Sequence, residues 1–440
     1  MIKVITYGTY DLLHYGHIKL LERAKALGDY LIVGVTADDF DKSRGKINVQ
    51  QSLMQRIDAV RATGIADEII IEEYEGQKID DIQRFGIDIF TVGSDWRGKF
   101  DYLNEYCKVV YLDRTEGISS SEIRSERKKI KLGIVGEQFL AEKVAHECNY
   151  VNGIEVSGVY TTNTDIKIGK KFDTFDELLN CSDALYIISH PTLHFKQIKK
   201  AIDLKKHVLC EAPIALSLEE SRKLHQLADE KGCILMDALK TAYSTAYSRM
   251  ILLAKGGKIG KIISIDATAT SLRDINLISK NNVSHTWNSI CAWGPTSMLP
   301  IFQILGTDYC KKLIISKLLN DDFDIFTKVE FIYDDSVATL KVGKGVKSEG
   351  ELLISGTKGY IYVPAPWWKT DYFEIRYENP NDNKRYFYQL DGEGIRYELV
   401  AFMDAIQSKH HPTYISRDVS NAICNVIEDF YARKDFFELK

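Results

Sequence analysis

The sequence predicts an α/β protein: two doubly wound parallel sheets in succession, then an α+β segment built on an open sheet. Three observations carry that reading. Short, nearly continuous apolar runs alternate with segments of helical period from residue 1 to about 126, the pattern of a parallel sheet covered on both faces. The alternation gives way at the charged stretch "SERKK" and restarts with a fresh strand, "KIKLGIVG". After about Lys255 the apolar residues fall into period 2, which indicates an open sheet with one solvated or partner-facing side. A chain of 440 residues is long for one core. The pattern divides it into domains at 1–128, 129–255 and 256–440.

In the first domain "KVITYG" reads as a strand and "GHIKLLERAKALG" as a helix, with Ile18, Leu20, Leu21 and Ala24 on one side and Gly28 closing it. "DYLIVGVTAD" is the next strand, "QQSLMQRIDAVRATG" a helix, "DEIIIEE" a strand and "QKIDDIQRFG" a helix. "IDIFTVGSDW" and "CKVVYLDRT" complete the sheet. The second domain offers five strands, "KIKLGIVG", "IEVSGVYT", "ALYIISH", "HVLCEAP" and "CILMDAL", with helices "LHFKQIKKAIDLKK" and "LEESRKLHQLADEKG" between the later ones. The last domain is β-rich through "KIISIDATATSL", "KVEFIYDDSVATLKVGKG", "GELLISGTKGYIYVP" and "YFEIRYEN", and ends in the helices "GIRYELVAFMDAIQS" and "SNAICNVIEDFYARK".

Composition excludes several classes. A hydrophobic fraction of 45% and a charged fraction of 27% are those of a globular protein with material for several cores. The net charge of -5, with no long basic run, argues against nucleic acid as a partner. Eight scattered cysteines without metal-ligand spacing fit a reducing compartment. No basic leader precedes a long apolar run, and no stretch reaches the roughly 18 apolar residues of a membrane span, so a cytoplasmic protein without membrane insertion is expected.

The chemistry concentrates in "YGTYDLLHYGH". His14 and His17 fall at the turn after the first strand and the opening of the first helix, on the carboxyl edge of a parallel sheet, where ligands bind. A helix start presents unpaired N–H groups and partial positive charge, which suits phosphate. Three residues apart, the two rings can face one side and donate to one phosphate. Nucleotidyl transfer needs such donors, because charge grows on the equatorial and leaving oxygens as pyrophosphate departs. The alternative is a pair of ordinary turn histidines.

With "DRTEGISSSEIR" downstream, this stretch resembles the glycerol-3-phosphate cytidylyltransferase family, within the HxGH nucleotidyltransferase superfamily, over Met1 to about Glu126. The resemblance implies a Rossmann-like nucleotidyltransferase domain in which His14 and His17 bind and stabilise the triphosphate of CTP. It implies that Gly8, Thr9 and Tyr10 form the loop beside it, and that Asp11 lies near a magnesium ion or fixes the loop. Lys46 and Arg44 of "KSRGK" would neutralise phosphate charge. Arg114, Thr115, Ser119 and Ser120 would close on the triphosphate at a helix start. Asp95 and Trp96 of "GSDWRGKFD" would line the nucleotide side, with core packing as the other reading of Trp96. Ser94 stands where the family usually has a second acid.

From Lys129 to Lys440 the chain resembles the Gfo/Idh/MocA oxidoreductases, carried by "DALYIISHPTLHFKQIKKAIDLKKHVLCEAPIALSLEESRKLHQLADEKGCILMDA" and "ISGTKGYIYVP". That implies a Rossmann dinucleotide-binding fold plus an open-sheet domain, and a glycine loop here written "GEQFLA": Gly136 and Ala141 keep their places, and Gln138 replaces the middle glycine. The family's E-K-P is "EAP", so Glu211 remains and Ala212 stands where the proton-donating lysine belongs. Ala292 and Thr296 fall on its acidic and proton-relay positions. Two readings stay open. Either this half is a pseudoenzyme kept for assembly or ligand holding, or the lysine has migrated to Lys240, with Tyr243 and Tyr247 just beyond as further donors. A solvated lysine at a strand end is the plain alternative for Lys240, and structural roles for His190 and His194, which flank the cofactor loop. The second strand ends on Tyr160, Thr161 and Thr162 rather than on an acid for a ribose 2′-hydroxyl, which favours NADPH over NADH.

The expected activity is therefore cytidylyl transfer from MgCTP to a polyol or keto-sugar phosphate of the glycerol 3-phosphate, ribitol 5-phosphate or glucitol 6-phosphate class. It would be joined to an NADPH-dependent ketone reduction, giving CDP-polyols for teichoic acid or capsule. The partners expected are small-molecule substrates and further copies of the chain, in a homodimer or higher homo-oligomer.

Overall fold

The computed structural model describes residues 1–37, 49, 51–74, 76–113, 129–136, 139–161, 168–272, 287–320, 322–388, 390–408 and 414–440. The chain divides into two compact units, Met1–Lys128 and Lys129–Lys440.

The first unit is a five-stranded sheet of β1 (Lys3–Gly8), β2 (Tyr30–Thr36), β3 (Glu68–Glu72), β4 (Ile89–Gly93) and β5 (Lys108–Leu112), all parallel, in the order β3-β2-β1-β4-β5. Its helices are α1 (Tyr15–Lys25), α2 (Leu53–Ala62) and α3 (Gln77–Phe85). Central strands β1 and β2 are buried on both faces, as their unbroken apolar runs require, and two clusters form, one on each side of the sheet. Leu21 and Ala24 of α1 are fully buried in one of them with Val4, Leu31 and Val33. α1 ends at Ala26, before Gly28. Gly28 is required for another reason: a Cβ there would stand 2.6 Å from the Ile2 carbonyl oxygen. α2 opens on a capping box between Ser52 and Gln55.

The second unit opens with a six-stranded parallel sheet of β6 (Ile130–Val135), β7 (Ile154–Tyr160), β8 (Lys171–Phe172), β9 (Ala184–Ile187), β10 (His207–Glu211) and β11 (Leu235–Ala238), ordered β11-β10-β9-β6-β7-β8. The five expected strands are present, and the two-residue β8, too short to register as a period, joins the edge. Around it lie α4 (Phe139–Cys148), α5 (Phe175–Cys181), α6 (Pro191–Asp203), α7 (Leu218–Lys231), α8 (Lys240–Tyr243) and α9 (Thr245–Lys255). α7 ends where Gly232 takes the left-handed conformation, φ 64°.

A nine-stranded mixed sheet follows: β12 (Ile262–Thr270), β13 (Lys311–Asn320), β14 (Phe323–Ile332), β15 (Val337–Gly343), β16 (Leu352–Gly356), β17 (Tyr360–Val363), β18 (Tyr372–Arg376), β19 (Lys384–Phe387) and β20 (Phe436–Glu438). The order is β19-β18-β17-β16-β12-β15-β14-β13-β20. α10 (Ser289–Leu305) packs on β12, β14 and β15 despite Pro295 and Pro300 in its interior. Those prolines are why periodicity alone does not declare this helix. α11 (Ile395–Ser408) and α12 (Arg417–Tyr431) return to the Rossmann sheet's helices, α11 against α4 and α12 against α7.

Candidate functional site

In an open parallel sheet the crevice lies where the strand order reverses, beyond the carboxyl ends of the two central strands. In the first unit these are β1 and β4, whose ends carry Gly8 and Gly93. The loop Thr9–His14 leaves one, and the 3-10 turn Ser94–Trp96 leaves the other. The topology thus brings His14, His17, Asp95 and Trp96 to one edge.

The loop is held by its own side chains. Tyr10 adopts a left-handed φ of 53° and Leu12 one of 50°. Tyr10 is 2% exposed and its ring covers Gly8, where a Cβ would approach Tyr10 Cζ to 3.0 Å. Asp11 is buried and its Oδ1 accepts the Gln51 N–H at 3.0 Å, while Gln51 Oε1 accepts the Leu12 N–H at 2.8 Å. Arg56, fully buried on α2, donates to the carbonyls of Thr9 (2.7 Å), Thr36 (2.8 Å) and Gln51 (3.1 Å). It ties the loop to the end of β2.

His14 is the N-cap of α1, its Nδ1 accepting the Gly16 N–H at 3.1 Å. That contact fixes Nδ1 as an acceptor and leaves the proton on Nε2 of a neutral ring. His17 stacks on it, centroids 3.9 Å apart and planes 20° from parallel, and Tyr10 meets His17 edge-on at 5.6 Å. Two imidazoles stacked this closely at a helix start form one donor surface for an anion. Trp96 is half-buried, packs on Phe100 at 5.8 Å and carries the Lys99 ammonium 5.1 Å above its ring; Asp95 beside it is exposed. Arg44, Lys46, Arg114, Thr115, Ser119 and Ser120 lie outside the described residues.

In the second unit the reversal falls between β6 and β9. Gly136, directly after β6, has φ 144°, and a Cβ there would stand 2.9 Å from the Ile188 carbonyl carbon, so glycine is needed for the close approach. Ala141 is fully buried on α4, where a small residue lets helix and strand pack closely. Thr161 follows β7 half-buried; Gln138 and Thr162 lie outside the described residues. His190 caps α6 through Thr192. His194 is fully buried between the carbonyls of Pro213 and Ser189, 2.7 Å from each, and burial brings it down to about 4. These contacts give both histidines structural work.

Lys240 is the first residue of α8, at the carboxyl edge of β11 next to Glu211 at the end of β10. Burial pushes Glu211 up to about 7 against the charge of Lys240 and a hydrogen bond from Tyr186. The Lys240 ammonium stands 4.0 Å from Glu393, which also holds Lys143 at 2.9 Å and Lys369 at 3.0 Å. The two tyrosines beyond Lys240 are corrected by the structure. Tyr243 donates to the Asp237 carbonyl at 2.7 Å and Tyr247 to Gln303 at 2.8 Å, both buried, so each phenol is engaged in the core. Lys240 remains as the candidate donor. Thr241 donates to the Trp368 carbonyl at 2.7 Å, and Trp368 packs on Trp293 of α10 at 4.9 Å, which brings the β17–β18 connection to this edge.

Pattern reading passed over Arg56, Tyr186, Glu393 and Glu398. The available signal was polarity in apolar settings: a tyrosine hydroxyl in the strand "ALYI" and a glutamate in the apolar helix "IRYELVAFMDAI".

Comparison with known proteins agrees with this division. A cytidylyltransferase-like family model matches residues 5–126, and a model of the oxidoreductase family with an NAD-binding Rossmann fold matches residues 130–238. A glycerol-3-phosphate cytidylyltransferase of Bacillus spizizenii is 52% identical over 126 residues, 29% of this chain and 97% of the relative. A glucose-6-phosphate 3-dehydrogenase of Bacillus subtilis is 30% identical over 142 residues, 31% of this chain but 41% of that protein. A 3-ketoreductase from Actinomadura kijaniata, solved with NADP and TDP-benzene, superposes with a TM-score of 0.63 at 17% identity over 71% of this chain and 99% of its own. With the histidine pair at its helix start and nearly all of a 52% identical relative covered, the chain belongs to the glycerol-3-phosphate cytidylyltransferase family of enzymes, fused to an oxidoreductase domain of the Gfo/Idh/MocA type.

Proposed function

We propose that the chain makes a CDP-polyol in two steps. The first unit transfers CMP from CTP to a polyol or keto-sugar phosphate, and the second reduces a ketone with NADPH. The stacked His14–His17 pair carries the first assignment. The acceptor phosphate oxygen attacks the α-phosphorus; His14 Nε2–H and the His17 ring stabilise the charge that grows on the triphosphate oxygens, while Lys46, Arg44 and Arg114 supply cations. Among the described residues no cluster of three or more His, Cys, Asp or Glu is arranged to hold a metal ion. Magnesium would arrive with the triphosphate, whose oxygens supply most of its ligands, with Asp11 near it or fixing the loop.

For the second unit, Gly136 and Thr161 stand where a dinucleotide would lie and Glu211 borders the nicotinamide end; NADPH supplies hydride there. Lys240 holds the proton that the carbonyl oxygen takes up. The adjacency of Lys240 and Glu211 supports this reading. Ala212, which has no proton to give, favours the rival in which the unit only assembles copies of the chain or holds a ligand. A homodimer through the open sheet suits either. No helix of the described residues is long and apolar enough to cross a membrane.

Mass spectrometry of products from MgCTP and glycerol, ribitol or glucitol phosphates and their ketone precursors, with and without NADPH, tests both steps. A CDP-conjugate of a ketose that gains two hydrogens only with NADPH is the expected result, and Lys240→Ala should keep NADPH fluorescence while losing that gain. A CDP-polyol formed only from a preformed polyol phosphate, with NADPH untouched, leaves the rival.

A further inference from the structure

A buried cluster beside Lys240 is not used by either step above. Tyr186, in the middle of β9, is fully buried, and its Oη lies 2.6 Å from Glu398 Oε1 and 2.9 Å from Glu211 Oε1. A phenol has one proton and donates it to one acceptor. The second short contact therefore requires a carboxyl that donates to the phenol oxygen. Two ionised carboxylates flanking one fully buried hydroxyl would also repel each other.

The free oxygens decide which carboxyl keeps the proton. Glu398 is 0% exposed, and its Oε2 has no hydrogen-bond partner among the described residues. As half of a carboxylate that atom would carry unpaired charge in an apolar surrounding; as the carbonyl oxygen of a neutral acid it is merely polar. Glu211 is half-buried, at the cleft end of β10; burial raises it to about 7, less far than Glu398 is raised, because the Lys240 ammonium pulls the other way, so of the two it is the carboxyl that ionises first. Hydrogen bonds then run in one direction: Glu398 Oε1–H to Tyr186 Oη, and Tyr186 Oη–H to Glu211. Burial, reinforced by the Glu211 charge, raises the Glu398 carboxyl far above the usual range, in the same sense. Among the described residues the other titratable groups facing the cluster are Tyr243, whose proton is directed at the Asp237 carbonyl, and the buried Cys210 thiol, which burial and the Glu211 charge push up and keep neutral.

We infer that Glu398, Tyr186 and Glu211 form a proton relay that stores one proton at neutral pH and returns it to Lys240 after each reduction. The storage stands on the geometry; its use rests on the reductase reading. As hydride from the nicotinamide reaches the carbonyl carbon, the carbonyl oxygen takes a proton from the Lys240 ammonium, leaving alcohol, oxidised nicotinamide and a neutral amine. Glu398 then protonates Tyr186 Oη as the phenol proton passes to Glu211, and Glu211, which makes no direct ion pair with Lys240, passes its proton to the amine through a bridging water. Glu398 ends as a carboxylate and is reset along the same chain, a proton entering from solvent at the half-buried Glu211 and passing through Tyr186. Glu398 and Tyr186 act through Lys240 and touch no substrate.

Infrared spectroscopy of the full chain tests the storage. At about pH 9, above the ordinary carboxyl range and well above the values to which burial pushes Asp237 and Asp324, about 6, and Glu211, about 7, the C=O stretch of one protonated carboxylic acid should be present. It should vanish in Glu398→Gln and persist at a shifted frequency in Tyr186→Phe. In the same variants ketone reduction should fall roughly ten-fold or more, with its alkaline limit moved to lower pH and NADPH binding retained. A wild-type chain without the band, or a band surviving Glu398→Gln, overturns the relay. A band in a chain that never oxidises NADPH overturns the reductase reading and leaves the stored proton standing.

Discussion

At the scale of single residues, the two histidines of α1 divide their work by position. His14 caps the helix with Nδ1 and has only Nε2–H to offer a ligand, whereas His17, one turn on, stacks on it from inside the helix. Because His17 is not the cap, replacing it should leave the helix in place and remove a donor from the charge that develops in transfer. His17→Ala is expected to lower CDP-product formation by about 10² or more at saturating CTP, with thermal unfolding of the first unit moved by little. Turnover within a few-fold of wild type would sink the assignment. Arg56 shows the complementary case. It touches no predicted ligand, yet three carbonyls depend on its guanidinium, and the left-handed turn at Tyr10 and Leu12 is held in place by those bonds.

At the scale of elements, the turn Asp391–Gly394 before α11 is the most unusual piece of backbone. Gly392, Glu393 and Gly394 all have positive φ, at 56°, 55° and 92°. The glycines adopt this freely and Glu393 does not. Glu393 is held there by Lys143 of α4, Lys240 of α8 and Lys369 of the β17–β18 connection. Burial alone would raise its carboxyl, but hydrogen bonds from Lys143 and Lys369 and their charges bring it down to about 2. The folded value lies below the unfolded one, so the stabilisation is complete above the ordinary carboxyl range and is lost as pH falls toward 2. With the side chain 36% exposed, solvent screening limits its size to about 1 kcal/mol. Urea midpoints of wild type and Glu393→Gln should differ at about pH 6 and converge only as pH falls to about 2. A difference that stays constant across that range would show that the lysines contribute packing rather than charge.

At the scale of the whole molecule, the first unit has its own cores around β1 and β2, and the second has a separate one under β9 and β10. Each can therefore melt on its own. Calorimetry should resolve two transitions, with CTP raising one and NADPH the other by about 2.7 kcal/mol at a hundred-fold excess over Kd. A single transition raised by either ligand would contradict independent units. A second transition indifferent to NADPH would favour the assembly role.

Much of this was legible in the sequence because parallel sheets write themselves as apolar runs separated by helical periods. β1, β2, α1 and α7 follow that pattern nearly residue for residue, and the histidine pair announces itself by its place between a strand and a helix. α10 escaped because two prolines interrupt its period, and β8 because two residues have none. The site of the second unit was half readable. Ala212 told that the usual lysine was gone, and Lys240 could be singled out as a candidate because both stand at strand ends that a parallel sheet sets side by side. What took its place in the core could not be read. Tyr243 and Tyr247, equally close to Lys240 in sequence, turn inward. Tyr186, Glu211 and Glu398, up to 212 residues apart, meet around one phenol oxygen. The sequence by itself determined the two parallel sheets, their order along the chain and the turn that carries the histidine pair, because these depend on local period and on strand ends. Only the tertiary structure decided which polar groups share a buried proton and which lysines gather on Glu393, because those depend on long-range packing that brings distant charges out of water together.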